Sequence, residues 1–289
     1  MYICHKVSEI RSFVKEMRAK GRGISFVPTM GYLHQGHLEL MRQAKRQGDV
    51  VVVSIFVNPT QFGPNEDFAR YPRDMDRDVS LAEEVGVEAI FNPGVEEIYP
   101  EGYCTYVDVE RITEGLCGLT RPGHFRGVAT VVAKLFNIVM PDRAYFGQKD
   151  AQQVLVIKRM AADLNMDLEV VTVPTIRETD GLAMSSRNIY LDSDQRRAAL
   201  VLSQSLQAAA DAVAAGERDV AGIRQLVVEM IEKEPLAIID YVEIYSHPDL
   251  ATIKELNDPA LLAIAVKIGQ TRLIDNIILG VQKNVFDHV

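Results

Sequence analysis

Two histidines, His34 and His37, stand three positions apart in residues 27–37, directly after a short apolar run. Gly31 and Gly36 accompany them, and glycine allows backbone conformations and close approaches that a Cβ would forbid. We interpret the segment as a strand, a tight turn and a helix start. Both imidazoles would then share one face at the helix N-terminus, where unpaired N–H groups and the positive end of the helix dipole attract anions. The pattern predicts a site for an anion that undergoes a reaction, such as a phosphate.

Two other interpretations of this pattern exist. An isolated HxxH pair is often a surface feature, and two glycines near a turn often only make the turn. Histidines at i and i+3 can also chelate zinc, but a tetrahedral site needs one or two more ligands, and the neighbouring sequence offers none. We therefore predict no metal-ligating residue.

Two further segments carry cations beside glycine or serine. Residues 147–150 contain Lys149, a mobile point charge, and residues 184–187 end in Arg187, whose planar fork binds phosphate oxygens bidentately. A single Lys or Arg in a loop is usually only solvated. Three such segments at the strand ends of one α/β domain instead predict a cradle for a nucleoside triphosphate. It is not a P-loop, because no GxxxxGK[ST] occurs.

Apolar periodicity places these segments at the ends of strands. Residues 50–57 form a continuous apolar run, which is typical of a strand covered on both faces in a parallel sheet. With a first strand at 24–27 and a helix between them, this run makes a βαβ unit, whose ligands bind at the carboxyl ends of the strands. Further strands are predicted at 87–91, 144–146, 168–173, 238–245, 261–268 and 272–279. Helices are predicted at 5–20, from the histidine turn to about 47, and at 74–85, 128–140, 151–165, 193–215 and 219–233.

The length of the chain and a change in its sequence pattern after the polar segment 174–188 predict two domains. We expect residues 1–175 to form an α/β domain with a Rossmann-like parallel sheet, and residues 176–289 to form a smaller α+β domain that acts as a lid. The apolar helix at 128–140 is too short to span a membrane. It should be buried against the sheet or against a second subunit.

A long polar loop, residues 58–72, leaves the strand at 50–57. Loops of this length in compact domains are usually functional or disordered. Because Asn58 and Gln61 lie at the strand exit, contact with a substrate is favoured over a plain connector.

Composition excludes several classes of protein. The net charge is −9 and no Lys/Arg-rich block occurs, so the electrostatic footprint of a nucleic-acid binder is missing. Cys4, Cys104 and Cys117 are odd in number and lack CxxC spacing, which indicates reduced thiols. The N-terminal residues lack the apolar core of a signal peptide, and no segment reaches ~18 apolar residues. We expect a cytoplasmic protein that binds no membrane.

Several motifs together resemble known families. HxGH with a downstream SSR loop resembles the HIGH and KMSKS signatures of the nucleotidylyltransferase superfamily. The ordered set PTMGYLHQGH, VSIFVNPTQF, YPR, RPGHFRGV, FGQKDAQQ, DGLAMSSRN and TRLIDN is similar to the pantothenate synthetase family. One departure is Gln148, where that family more often carries Glu, but the neighbouring Lys149 and Asp150 are intact.

The resemblance implies a two-stage reaction. ATP and pantoate would give pantoyl adenylate and pyrophosphate, and β-alanine would then displace AMP. It implies catalytic roles for His34, His37 and Lys149, with His37 as proton donor. It also implies that Gln61 and Gln153 hold pantoate, that Gln61 borders the β-alanine site, that Mg²⁺ accompanies ATP, and that the protein is a homodimer. The ATP-binding residues would be Met30, Gly31, Tyr32, Leu33, His34, Gln35, Gly36, His37, Gly147, Gln148, Lys149, Asp150, Ile176, Met184, Ser185, Ser186 and Arg187, and the substrate-binding residues Asn58, Gln61 and Gln153.

Two rival functions remain open at this point. Another adenylyl-transfer enzyme would use the same signatures, although the acidic charge and the lack of an anticodon-binding extension disfavour a fragment of an aminoacyl-tRNA synthetase. A regulatory protein could bind nucleotide without catalysis. The pair of histidines argues against it, because binding alone would not need both.

Overall fold

The computed structural model describes residues 1–64 and 66–280. The chain divides into two compact units. The first comprises Met1–Gly147 and Gln152–Val173, and the second comprises Gln148–Ala151 and the described residues from Pro174 to Gly280. The short segment Gln148–Ala151 therefore belongs with the second unit, although its neighbours in sequence belong to the first. Within the two described ranges, no helix is long and apolar enough to cross a membrane.

The first unit is built on a six-stranded sheet. Its strands are β1 (Tyr2–Cys4), β2 (Ile24–Thr29), β3 (Val50–Ile55), β4 (Ala89–Phe91), β5 (Arg143–Gly147) and β6 (Glu169–Val173). All pairings are parallel, in the order β1-β4-β3-β2-β5-β6. Every residue of β3 and β4 is buried, as expected for central strands covered on both faces. The predicted α/β fold with a Rossmann-like parallel sheet is confirmed.

Helices connect these strands. They are α1 (Val7–Ala19), α2 (Gln35–Arg46), α3 (Met75–Val85), α4 (Val95–Ile98), α5 (Leu116–Thr120), α6 (His124–Val139) and α7 (Ala151–Asp163), with a 3₁₀ helix at Pro59–Gln61. In α2, Leu38, Met41 and Ala44 are buried at helical spacing and pack on the sheet. The Asp74 carboxylate caps α3 by accepting a hydrogen bond from the Arg77 N–H at 3.1 Å.

The strand order reverses beside β2. The chain adds β3 and β4 on one side of β2, whereas β5 and β6 lie on the other side. Phe26 of β2 pairs with Ala144 of β5 across the reversal. At such a point the connections leave in opposite directions and open a crevice at the carboxyl ends of the strands. The histidine-bearing turn follows β2 at this edge, and Gly147 ends β5 there.

The second unit contains a three-stranded antiparallel sheet packed against helices. Its hydrophobic core includes Leu206, Ile223 and Ile264, which come from two helices and the central strand. The predicted smaller α+β domain is thereby confirmed as a fold. The elements are α8 (Ser193–Ala199), α9 (Val201–Ala214), α10 (Val220–Glu232), β7 (Ala237–Ser246), β8 (Ala260–Ile268) and β9 (Thr271–Leu279), with 3₁₀ helices at Gln148–Asp150 and Ser186–Tyr190.

Three element predictions were wrong in detail. The first strand is β1, not the strand at 24–27. Its three residues at a sheet edge include only one buried side chain, Cys4, so they show no periodicity. Helix α6 begins at His124 rather than 128; the prediction missed the first turn because His124, Arg126 and Gly127 interrupt the apolar pattern there. The helix predicted at 193–215 is two helices that break at Leu200, which itself has helical backbone angles.

Most side chains of α6 are buried within the single chain. Phe136, for example, packs edge-to-face against Phe26 of β2 and Phe146 of β5. The apolar character that suggested burial against the sheet or a second subunit is therefore explained by burial within this chain.

Candidate active site

A carboxylate from helix α3 holds the turn that follows β2. Gly31 and Tyr32 both have left-handed backbone conformations, with φ of 83° and 51°. Consecutive residues in turn conformations of this kind direct their N–H groups toward one point and form a concave anion site. Here the anion is the chain's own Asp78, which accepts hydrogen bonds from the N–H groups of Tyr32 at 2.7 Å and Leu33 at 2.6 Å. A Cβ at Gly31 would lie 3.0 Å from Asp78 Oδ2, so this position requires glycine for conformation and for space.

Other N–H groups of the turn are engaged as well. Thr29 Oγ1 accepts a hydrogen bond from Gly31 at 3.2 Å, and His34 Nδ1 accepts one from Gly36 at 3.2 Å. The prediction of unpaired N–H groups aimed at an anion was wrong for these groups. For Gly31 and Leu33 the reason is burial, since a buried backbone donor without a partner costs free energy. Gly36 lies in the first turn of α2 without the positive φ of Gly31.

The two imidazoles lie side by side. His34 is the N-cap residue of α2, and its N–H donates to His37 Nδ1 at 3.3 Å. The ring centroids are 4.0 Å apart with an interplanar angle of 32°. Since Nδ1 of each ring accepts a backbone hydrogen bond, the neutral tautomer of each histidine carries its proton on Nε2. The turn thus supplies two adjacent N–H donors with defined tautomers at the carboxyl edge of the sheet.

Asp78 is a buried acid. Its side chain is 1 % exposed, and burial raises the pKa of its carboxyl although the hydrogen bonds from Leu33 and Tyr32 lower it in part. Arg77 lies 3.9 Å from the carboxylate, and its guanidinium stands 4.9 Å from the Tyr32 ring centroid. The sequence analysis missed Asp78, because an Asp near the start of a helix is common and signals only the helix dipole.

Gln61 lies against the histidine-bearing turn. Its Nε2 is 3.3 Å from Met30 Sδ, and its Oε1 accepts a hydrogen bond from Asn58 Nδ2 at 3.0 Å. Asn58 is 1 % exposed; it also donates to the Gly127 carbonyl at 3.2 Å and accepts from the Tyr99 hydroxyl at 2.8 Å. Burial raises the pKa of Tyr99 to about 12, so this hydroxyl stays protonated and donates. In this structure Asn58 orients Gln61 and uses its own amide inside the chain.

Helix α6 approaches the Gln61 segment very closely. A Cβ built at Gly127 would lie 2.7 Å from the Gln61 nitrogen and in direct collision with the Thr60 carbonyl oxygen. Only glycine allows this approach. Gly127, the second glycine of the RPGHFRGV motif, therefore allows α6 to pack directly against the Gln61 segment.

An ion pair between Arg121 and Glu66 also holds the Gln61 segment. Arg121 binds Glu66 bidentately, with Nε at 2.7 Å and Nη2 at 2.5 Å from the carboxylate oxygens. Burial alone would raise the pKa of Glu66, but the hydrogen bond and charge of Arg121 outweigh it and lower the pKa. Arg121 Nη2 also donates to the Gln61 carbonyl at 3.3 Å, and His124 Nδ1 lies 2.9 Å from the same oxygen. Hydrogen bonds thus hold both the backbone and the side chain of Gln61.

Two adjacent glutamines of α7 have different environments. Gln152 is buried; its Oε1 accepts a hydrogen bond from the Cys117 N–H at 3.0 Å, and its Nε2 donates to the carbonyls of Ile112 and Gly115 at 2.9 Å. It joins α7 to the segment before α5. Gln153, the predicted pantoate residue, is half-buried on the same helix.

In the second unit, the predicted lysine lies in a short 3₁₀ helix. Lys149 Nζ is 3.8 Å from Asp150 Oδ1. Asn276 of β9 donates through Nδ2 to the carbonyls of Gln148 and Lys149, each at 2.9 Å. The sequence analysis matched TRLIDN as a motif but assigned no role to Asn276.

The other predicted ATP segment of the second unit is a closed loop. The Met184 N–H donates to the Ile176 carbonyl at 3.0 Å, which pairs the two ends of the loop. Ser185 Oγ then accepts a hydrogen bond from the Arg187 N–H at 3.3 Å and begins the 3₁₀ helix Ser186–Tyr190. Ile176, Met184, Ser185 and Arg187 are therefore neighbours in space.

A buried ion pair fixes this loop to β9. Arg177 Nη1 and Nη2 bind the Asp275 carboxylate at 2.6 and 3.1 Å, and Nη1 also donates to the Gly181 carbonyl at 3.1 Å. The Asp275 side chain is 1 % exposed, and the bidentate hydrogen bonds from Arg177 offset the cost of burying its carboxylate. Two consecutive residues of β9 thus hold the two predicted ATP segments of the second unit.

The chain is similar to known proteins in sequence and structure over nearly its whole length. The sequence model of the family described as Pantoate-beta-alanine ligase matches residues 2–278. The pantothenate synthetase of Pelotomaculum thermopropionicum is 74% identical over 280 residues, which cover 97% of this chain and 99% of the relative. The crystal structure of pantothenate synthetase from Thermus thermophilus has a TM-score of 0.91 at 47% identity and covers 96% of this chain and 99% of that chain. The structure of pantoate-beta-alanine ligase from Francisella tularensis, complexed with beta-gamma ATP and beta-alanine, has a TM-score of 0.78 at 35% identity and covers 96% and 97%.

A parallel sheet with a histidine pair at its switch point, joined to a small α+β unit, defines a nucleotide-dependent α/β enzyme. The similarity in sequence and structure narrows the class to one family. The chain belongs to the pantoate-beta-alanine ligase family, and its reaction is the ATP-dependent condensation of pantoate with β-alanine. The predicted family, enzyme class and reaction are confirmed.

Proposed function

We propose that the reaction proceeds in two stages and that His34, His37 and Lys149 perform the first. The pantoate carboxylate attacks the α-phosphorus of ATP and expels pyrophosphate, and the amine of β-alanine then attacks the resulting acyl adenylate and expels AMP. Negative charge builds on the phosphate oxygens in the first stage. Donors that are already in position and interact more strongly as this charge grows lower the barrier.

The observation that carries this proposal is the pair of adjacent imidazoles, 4.0 Å apart, at the carboxyl edge of the sheet. Each neutral ring has Nε2–H as its donor, because Nδ1 accepts a backbone hydrogen bond. In this role His37 donates to the phosphate oxygens, or gives its proton to the leaving group when protonated. His34 supplies a second donor beside it.

Each unit contains proposed ATP-binding residues. The first unit contributes residues 30–37 and Gly147, and the second contributes residues 148–150, Ile176 and residues 184–187. Lys149 supplies a point charge to the phosphates and Arg187 a planar fork. The second unit would serve as the smaller lid domain predicted from the sequence.

Gln61 and Gln153 are the proposed pantoate residues, and Gln61 also borders the β-alanine site. A glutamine amide offers both an acceptor and donors, which suits a ligand with hydroxyls and a carboxylate. Support comes from the way Gln61 is held, with its side chain against Met30 and Asn58. Asn58 acts on substrate through Gln61.

Mg²⁺ is the proposed companion of ATP. Within residues 1–64 and 66–280, no group of three or more His, Cys, Asp or Glu side chains is placed to hold a metal ion. Mg²⁺ commonly keeps several waters and binds substrate phosphates with few protein ligands, so this donor set fits an ion carried by ATP. It would neutralise charge on the polyphosphate.

We also propose a cytoplasmic homodimer that binds no nucleic acid. None of the three cysteines, all in the described part of the chain, forms a disulfide, which suits a reducing compartment. Light scattering after gel filtration measures the mass of the particle. A monomer at working concentrations would contradict the proposed assembly.

One assay tests the reaction scheme. Pantoate-dependent exchange of pyrophosphate with ATP reports the first stage, and AMP release that requires β-alanine reports the second. We expect both. Exchange driven by other acids but not by pantoate would indicate a different adenylyl-transfer enzyme, and no exchange with any acid would indicate a nucleotide-binding protein without catalysis.

A further inference from the structure

Asn276 is buried on the face of β9 that does not contact the hydrophobic core of the second unit. Side chains alternate along a strand, and Leu273, Ile277 and Leu279 on the other face belong to that core. Ile274 and Ile278 share the face of Asn276 and are half-buried. Asn276 itself is 4 % exposed. An additional segment therefore covers the strand at this one position.

The covering segment is the 3₁₀ helix Gln148–Asp150. Asn276 Nδ2 donates to the Gln148 carbonyl at 2.9 Å and to the Lys149 carbonyl at 2.9 Å. A primary amide has two N–H donors on one nitrogen, so it can serve both oxygens. An ionised Asp of the same size has only hydrogen-bond acceptors, and the side chains of Ala and Leu have neither donors nor acceptors.

The two carbonyls belong to the peptide groups on either side of the Lys149 Cα. Each peptide group is planar, so a hydrogen bond to its oxygen restrains the whole plane. With both planes restrained, the backbone angles of Lys149 are restrained, and with them the direction of its Cα–Cβ bond. A three-residue 3₁₀ helix has few internal hydrogen bonds of its own to do this.

We propose that Asn276 is a positioning residue for Lys149 in the ligase reaction. It contacts the backbone of the turn and acts through the lysine ammonium. The inference rests on the role in ATP binding and catalysis that is proposed above for Lys149. It assigns a function to the TRLIDN motif. In this motif Asp275 binds Arg177, and Asn276 binds the 3₁₀ helix Gln148–Asp150, here called the lysine turn.

The test is a double-mutant cycle with pantoate-dependent pyrophosphate exchange. The variants are Asn276→Ala, Lys149→Ala and the combination, each assayed for kcat and for the KM of ATP. We expect N276A alone to lower kcat/KM for ATP about ten- to a hundredfold, the scale of a catalytic group displaced by ~1 Å. In the K149A background the same change should have an effect of less than about twofold, because residues that act through one group are not additive.

A matched control separates positioning from stability. Ile277→Val alters the adjacent residue of β9, whose side chain belongs to the hydrophobic core of the second unit. We expect I277V to lower the melting temperature while leaving the KM of ATP unchanged. Asn276→Asp keeps the volume but removes both donors, so it should behave like N276A and replaces it in the cycle should N276A not fold.

Each outcome decides the matter. Equal losses from N276A in the wild-type and K149A backgrounds overturn the inference alone, because Asn276 would then act independently of the lysine. A similar rise in the KM of ATP in I277V also overturns it, in favour of a purely structural role. Wild-type activity in K149A overturns the proposed role of Lys149 and the inference with it.

Discussion

The turn that carries the two proposed catalytic imidazoles and the turn that carries Lys149 are held in opposite ways. In the first unit, consecutive N–H groups of Tyr32 and Leu33 donate to the carboxylate of Asp78. In the second unit, consecutive carbonyls of Gln148 and Lys149 accept from the amide of Asn276. Each holding residue is distant in sequence from the turn that it binds.

The two arrangements differ in the charge of the side chain that holds the turn. A turn with left-handed residues gathers N–H groups and makes a positive concavity, which an anion completes. Asp78 occupies that concavity, so the imidazoles of His34 and His37 become the donors that the turn presents at the sheet edge. A 3₁₀ turn held by its carbonyls needs only neutral donors, and Asn276 avoids the cost of burying a charge. The first arrangement should therefore be more sensitive to substitution than the second.

The largest expected effect comes from the groups that the two turns present. H37A should lower the rate of pantoate-dependent exchange by about 10²–10³-fold, or roughly 3–4 kcal/mol, as for loss of one donor to a developing oxyanion. K149A should cause a loss of similar size if both turns serve the same phosphates. Exchange kinetics measure both, and His5→Ala, an exposed histidine of the first unit, is the control expected to retain activity. Loss in one variant but not the other would break the comparison.

The next effect tests the carboxylate that holds the first turn. Asp78→Asn leaves one acceptor oxygen and directs an NH₂ group toward a buried backbone donor. We expect the free energy of unfolding to fall by about 3 kcal/mol, since each buried donor left unsatisfied costs about 1–3 kcal/mol. Urea unfolding measures it, with exposed Asp76→Asn in the same helix as control. A smaller loss for D78N than for N276A would reverse the predicted order of sensitivity.

A third substitution asks how far the first turn depends on the segment beside it. Gly127→Ala forces α6 away from Gln61, because the new Cβ would lie 2.7 Å from the Gln61 nitrogen. We expect about 1–3 kcal/mol of destabilisation, typical of overpacking, and a raised KM for pantoate. Ala133→Gly in the same helix costs about 1 kcal/mol through helix propensity without a collision, and should leave that KM unchanged. An unchanged KM in G127A would separate Gln61 from pantoate binding.

The smallest effect concerns pH. The pKa of Glu66 is lowered from its ordinary value of 4.5 by Arg121, so the ion pair adds stability above that pH and loses it as pH falls through the lowered pKa. The difference in unfolding free energy between wild type and E66Q should be about 1 kcal/mol near neutral pH and should shrink below pH 4.5. Unfolding curves at several pH values measure it. A difference that persists in an R121A background would contradict this origin.

Much of the fold follows from local patterns in the sequence. The apolar run at 50–57 predicts a central parallel strand, and the periodicity of Leu38, Met41 and Ala44 predicts helix α2 after the histidine turn. These signals work because burial on a sheet imposes a period on neighbouring residues. They fail at β1, an edge strand of three residues, and at Leu200, where two helices meet without any change in pattern.

The sequence by itself determined the chemistry that the protein can offer: two imidazoles at helical spacing, a lysine and an arginine beside small residues, and the motifs of one ligase family. Only the tertiary structure decided which groups hold them. Asp78 and Asn276 are 46 and 127 residues away from Tyr32 and Lys149. Hydrogen bonds over such separations leave no period in the sequence, because they depend on where the chain brings elements together and not on the residues beside them.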